Sequence, residues 1–310
     1  MLQRVATIAY ATYREAVRAT VLLGLAGVAF GLQIYALFVA AYTLDEAPRV
    51  VSDLGAMTIS VFSIVVAVFI GANTLYRELE MKTILPLLAR PIHRGEFLIG
   101  KYAGIMLVVL VFVMAEGGFV LITSASFNGR PPQICAAVFG VLVVALGLVL
   151  LLRPKSRTYA PIPWSAAMLV AGYLLASTGP GERSLIAASA LLTVFEVAII
   201  AAVSMLFSSF STPFLSALLT VWLFFIGRSA DSMARLPVKM FGQLFHDAGH
   251  ALSTVIPNLN IYVPARPLLT GEAADANLVK YLAMAGLQTC GWMVGLLAVA
   301  TYVFARRDFT

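Results

Sequence analysis

The stretch ELEMKTILPLLARPIHRGEFLIGK, residues 78–101, is an island of charge between two apolar runs, Gly55 to Leu75 and Gly100 to Ser124. Each run is long enough to cross a hydrocarbon core of about 30 Å, which takes about 20 helical residues. Lipid gives a charged, Pro-interrupted segment no reason to exist, so the island belongs in water between two spans. Tyr76 to Leu88 can form about three helical turns. The turns end at Arg90-Pro91, where the residue before proline is pushed out of the helical region. Glu96 then starts a helix that runs directly into the next span. A surface helix tied to a span at each end can convert a push from a cytoplasmic partner into span movement; the plainer reading is a solvated loop.

The chain of 310 residues is 61% hydrophobic and 12% charged, against roughly 45–50% and 25% in soluble domains. It reads as an all-α integral membrane protein. Further apolar runs occupy Thr20 to Leu44, Ile134 to Leu152, Pro163 to Ser177, Ser184 to Phe207, Pro213 to Gly227 and Tyr281 to Ala305. The count is eight, of which the fifth and seventh are short. With the N-terminus cytoplasmic, the inside segments hold Arg4, Arg14, Arg18, Arg77, Lys82, Arg90, Arg94, Lys101, Arg153, Lys155, Arg157, Arg306 and Arg307, while the short outside loops hold Arg49, Arg130 and Arg183. The positive-inside rule therefore puts both termini in the cytoplasm. The net charge of +6 is a topology signal, and no basic folded domain suggests nucleic-acid binding.

Residues 1–19 read as an amphipathic interfacial helix, with Leu2, Val5, Ile8, Thr12 and Ala16 at helical spacing, and not as a cleavable signal peptide. Residues 133–181 read as an inserted, peripheral helical hairpin around the basic turn Arg153-Pro154-Lys155-Ser156-Arg157. Residues 228–279 read as an extracytoplasmic interfacial segment, helical over residues 238–255 and broken by Pro257, Pro264 and Pro267.

The order of an acidic pair, Thr83-Ile84, Leu87-Leu88-Ala89-x-Pro91-Ile92-x-Arg94-x-Glu96-Phe97-Leu98-x-Gly100-Lys101 resembles the coupling region of permease subunits in type-2 ABC exporters. The amphipathic N-terminus, the Phe207 to Pro213 turn, Ile256-Pro257-Asn258 and the closing Arg306-Arg307-Asp308-Phe309 extend the likeness along most of the chain. The similarity is strongest to the branch that includes permeases for copper-enzyme maturation and gliding. It implies a six-span core, to which the 133–181 hairpin adds two spans, and one permease domain over residues 1–310. It also implies a bacterial cytoplasmic membrane, a second permease copy, and a separate ATP-binding subunit that carries the ATP and magnesium, with no cofactor in this chain. On this likeness Glu78 and Glu80 begin the coupling helix in region 76–99. Thr83, Ile84, Leu87 and Leu88 form its docking face, Pro91 and Arg94 the turn, and Gly100 and Lys101 the start of the third span. Lys82 stands where the family often has glycine.

Other features compete for chemistry. Gly95 to Lys101 fits the first seven positions of a phosphate-binding loop, but Tyr102 replaces the Ser or Thr that holds magnesium and no strand precedes it, so ATP is not expected there. Glu116 and Glu196 lie within spans, where acids face a bundle interior, a cavity or a partner. Both are candidates for a transport path, with a carboxyl hydrogen-bonded to a neighbouring helix as the alternative. His246-Asp247-x-x-His250 has spacing for a metal but lacks the glutamate of a metalloprotease helix and a third ligand, so no metal site is expected. Cys135 and Cys290 build neither a disulfide framework nor a metal motif. Gly27/Gly31 and Gly100/Gly104 let helices approach closely, within the subunit or between copies. Two rival functions remain in view: a mechanotransmitting subunit driving an extracytoplasmic partner through residues 238–255, and an intramembrane metalloenzyme using His246, Asp247 and His250.

Overall fold

The computed structural model describes residues 2–43, 46–80, 93–234, 256–270 and 277–306. Within them the regular structure is helical: α1 Leu2–Arg18, α2 Thr20–Ala41, α3 Ala47–Glu80, α4 Arg94–Phe127, α5 Pro132–Leu152, α6 Pro161–Leu175, α7 Pro180–Ser208, α8 Pro213–Ala234, α9 Arg266–Thr270 and α10 Leu278–Arg306. Proline opens α5, α6, α7 and α8, at the one helical position where its missing N–H costs nothing and its fixed φ is already helical. After α4 the chain reverses through Gly129 at φ +89°, a left-handed conformation that side chains with a Cβ resist.

Among the described residues six helices are long and apolar enough to cross a membrane: Val21–Ala41, Ala47–Thr74, Arg94–Phe127, Pro132–Leu152, Pro180–Ser208 and Leu278–Arg306. Three of them form the middle of the bundle. The apolar windows of α3, α4 and α7 are 56%, 67% and 67% buried, against 17% in α2, 6% in α5 and 11% in α10. Leu23, Phe38, Val141, Leu151, Trp222 and Leu287 are turned outward, an apolar perimeter that a water-facing monomer rarely carries. It is the expected surface where lipid is the solvent.

The bundle has two ends with different chemistry. At the proximal end, where α1 lies, the Tyr10 ring stacks on Tyr159 at 5.2 Å and its hydroxyl donates to Thr158 Oγ1 at 3.4 Å. At the distal end Arg130 donates to Ser177 Oγ at 2.9 Å and to the Leu175 carbonyl at 3.3 Å, closing α4 onto the end of α6.

Against the expectation of a peripheral hairpin, its two arms sit differently. α5 lies at the perimeter. α6 is built into the bundle where it crosses α4: a Cβ added at Gly118 would stand 2.5 Å from the Met168 carbonyl carbon, and one added at Gly172 would stand 2.4 Å from the Gly118 carbonyl oxygen. In lipid, helices associate through van der Waals contact of this kind, because the hydrophobic effect does not distinguish protein from acyl chain.

Candidate functional site

Of the residues read as a coupling helix, Glu78 and Glu80 fall in the last turn of α3, while Thr83, Ile84, Leu87, Leu88 and Pro91 lie outside the described residues. The frame around that segment is described. α3 and α4 are 34 residues each, about 51 Å at 1.5 Å per residue, well beyond the roughly 30 Å of hydrocarbon. Residues Gly55 and Val120 touch near the distal end, with Gly117 and Ile59 next along, so the two helices run antiparallel and segment 81–92 joins them proximally.

The first three turns of α4 are the junction of the proximal end. Arg94 Nη1 donates to the Ala305 carbonyl at 2.8 Å and the Phe304 carbonyl at 3.3 Å. These carbonyls belong to the last described turn of α10, and a cation is favourable at the C-terminal pole of a helix. Phe97 stacks on Phe304 with centroids 6.2 Å apart. Glu96, in the first turn, is buried and faces Arg4 of α1, Nη1 to Oε2 3.9 Å. Gly100 and Gly104 receive α1: added Cβ atoms would meet Ile8 Cβ at 2.7 Å and Thr12 Cβ at 2.5 Å. Lys101 is buried with its ammonium 5.7 Å from the Phe97 ring centroid, and Tyr102 donates to the Ala198 carbonyl of α7 at 3.0 Å. Arg94 and Gly100 thus fasten α4 to α10 and α1, beyond the turn and span-start roles expected of them, while the contact of Lys101 with Phe97 lies within α4.

The two intramembrane acids are in different states. Glu196 of α7 is 1% exposed and accepts both arms of Arg228 from α8, Nε to Oε1 at 2.9 Å and Nη2 to Oε2 at 2.8 Å; Arg228 Nη2 also donates to Ser60 Oγ of α3 at 3.3 Å. Bidentate geometry of this kind is the strongest form of the carboxylate–guanidinium contact. Glu116 is fully buried in α4, and neither carboxylate oxygen has a hydrogen-bond partner among the described residues.

Arg228 opens on its other side into a distal cavity of about 300 Å³ between α3, α7 and the 260–269 segment. Arg266 lines the same cavity and is held by Asp53 of α3 and Glu182 of α7. Tyr262, also on the wall, shares a hydrogen bond with Thr289 Oγ1 at 2.7 Å. Burial pushes its phenol up, outweighing the hydrogen bond that lowers it, so it stays neutral. The cavity has a largely apolar lining, with Ala56, Met57 and Leu185 on its wall, and its two cations already have carboxylate partners.

The sequence pattern puts Arg228 at the start of the extracytoplasmic segment 228–279, whereas α8 continues to Ala234. Arg228 lies just past the apolar run of the next helix, within reach of an acid in the preceding span, but the same position says nothing of Glu116. Among the described residues no group of three His, Cys, Asp or Glu gathers to hold a metal; His246, Asp247 and His250 lie outside them.

A family model described as "ABC-2 family transporter protein" matches residues 5–309. Among curated proteins no match is found.

Proposed function

Because the chain belongs to the ABC-2 family of transporter proteins, we propose that it is the permease subunit of an ATP-driven exporter, worked by a separate ATP-binding subunit docked where α3 meets α4. ATP and magnesium reside in that subunit, and two permease copies enclose the transport path. The observation that carries this reading is the junction at the start of α4. Arg94, Phe97, Gly100, Gly104 and Tyr102 bind it to α10, α1 and α7, so displacement of segment 81–92 reaches four helices at once. Glu78, Glu80, Thr83, Ile84, Leu87, Leu88 and Pro91 are the proposed docking residues.

The proximal end is then cytoplasmic. Arg4, Arg14, Arg18, Arg153, Lys155 and Arg157 support that side, as the positive-inside rule requires. The proposed topology keeps eight crossings, with α6 and α8 added to the six long spans. α6 with the following 3-10 turn, Pro161 to Thr178, rises about 28 Å, and α8 with 22 residues about 33 Å. Both values are close to the hydrocarbon thickness.

The test is charge reversal. Glu78→Lys with Glu80→Lys is expected to abolish co-purification with the ATP-binding subunit while the permease still inserts and purifies as a folded species. Unchanged co-purification, with unchanged permease-stimulated ATP turnover, would remove these residues from the docking surface.

A further inference from the structure

α5 touches the bundle lightly and stands away from α2. The gap is a cavity of about 520 Å³ that also reaches α1, α4 and α6. Its walls are apolar: Leu22 and Phe30 of α2, Val108 and Phe112 of α4, Leu146 and Leu150 of α5. Polarity appears at one end, where Arg18, the last residue of α1, and Arg157, in the turn between α5 and α6, stand at the mouth beside buried Thr158. Between Leu22 and Phe30 the groove runs roughly 12 Å along α2, near the depth of one leaflet's hydrocarbon, about 15 Å as half the core. An apolar trough of one-leaflet depth with cations at its headgroup end has the shape and polarity of a single lipid.

The charges decide which lipid. Arg18 and Arg157 make no hydrogen bond, ion pair or ring contact among the described residues, in contrast to Arg228 and Arg266, whose guanidiniums are already held by carboxylates. Guanidinium matches phosphate oxygens bidentately, and a zwitterionic headgroup would leave two cations facing one neutralised phosphate. We propose that this groove, completed by α5 and α6, binds one anionic phospholipid of the surrounding bilayer, with an acyl chain between α2 and α5 and the phosphate between Arg18 and Arg157. The site depends on membrane insertion alone and not on ATPase docking.

Trp164 lines the groove and is fixed there by donating Nε1–H to the Leu142 carbonyl at 2.9 Å, which supplies a reporter. The full-length chain, with Trp222→Phe and Trp292→Phe leaving Trp164 as the remaining tryptophan of three, is placed in phosphatidylcholine vesicles. Brominated phosphatidylglycerol or brominated phosphatidylcholine is then titrated as quencher. Each arginine near a membrane surface contributes about fivefold to anionic-lipid affinity, so phosphatidylglycerol is expected to reach half-quenching at a roughly tenfold or more lower mole fraction. Arg18→Gln with Arg157→Gln is expected to erase that preference, and Arg157→Gln alone to reduce it about fivefold. Arg153→Gln with Lys155→Gln, on the same turn but outside the groove, is expected to leave it intact. Equal quenching by the two lipids, absence of quenching by either, or equal loss of preference in both double variants would overturn the proposal; the last result would mean diffuse surface charge only.

Discussion

At Glu196 a charge that costs several kcal/mol inside a bilayer is held by Arg228, whose own side chain keeps partial access to the distal cavity, 28% exposed. Removing one partner from such a pair strands the other, typically at 3–5 kcal/mol. Arg228 can recover some solvation, so Glu196→Ala is expected to cost about 3 kcal/mol, read as loss of thermal stability of the purified protein in detergent. Replacing both residues with Met is expected to recover most of it. If the double variant is as unstable as the single, the pair is not the source of the loss. Both intramembrane acids were visible in the sequence, but their states were not. The partner of Glu196 comes from a helix whose end extends beyond its apolar run, and no spacing rule distinguishes that from Glu116, which has none among the described residues.

Helix by helix, the small-residue pairs show how far pattern carries. Gly27/Gly31 and Gly100/Gly104 have the same spacing, yet an added Cβ meets nothing within 4 Å at Gly27 or Gly31 and collides with α1 at Gly100 and Gly104. Spacing shows that a helix offers a groove; only the packing shows which groove is filled. Gly118, which follows Glu116 and Gly117 in sequence, lies against the α6 backbone, where an added Cβ would stand 2.5 Å from the Met168 carbonyl carbon. Gly118→Leu is therefore expected to lower thermal stability by at least the 1–3 kcal/mol typical of overpacking, and Gly27→Leu to leave it unchanged. Equal effects would mean that the α4–α6 crossing is not tight. Arg94 makes a second element-level case, because it fastens the start of α4 to the end of α10 through two carbonyls. Arg94→Ala is expected to preserve co-purification with the ATP-binding subunit while reducing transport-linked ATP turnover, as a lever would if one fastening were cut. Loss of co-purification would instead make Arg94 part of the docking face.

For the whole molecule, the fold class was legible because a bilayer leaves few choices: composition demands spans, and spans without a barrel pattern are helices. The 34-residue lengths of α3 and α4 were not, since their apolar runs stop where lipid stops while the helices continue. Nor was the built-in position of α6, whose 15 residues give a weak hydropathy signal but whose Gly172 seats it against α4. On the proposed function, nucleotide binding in a partner subunit moves α4 as a lever and carries α10 with it. With Cys135 and Cys290 replaced by Ser, spin labels at residues 134 and 279 mark the distal ends of the peripheral α5 and of α10 in the complex with the ATP-binding subunit. Adding a non-hydrolysable ATP analogue with magnesium is predicted to shift the interlabel distance distribution, and Glu78→Lys with Glu80→Lys to abolish the shift. A distribution that is identical with and without nucleotide in the intact complex would contradict the account.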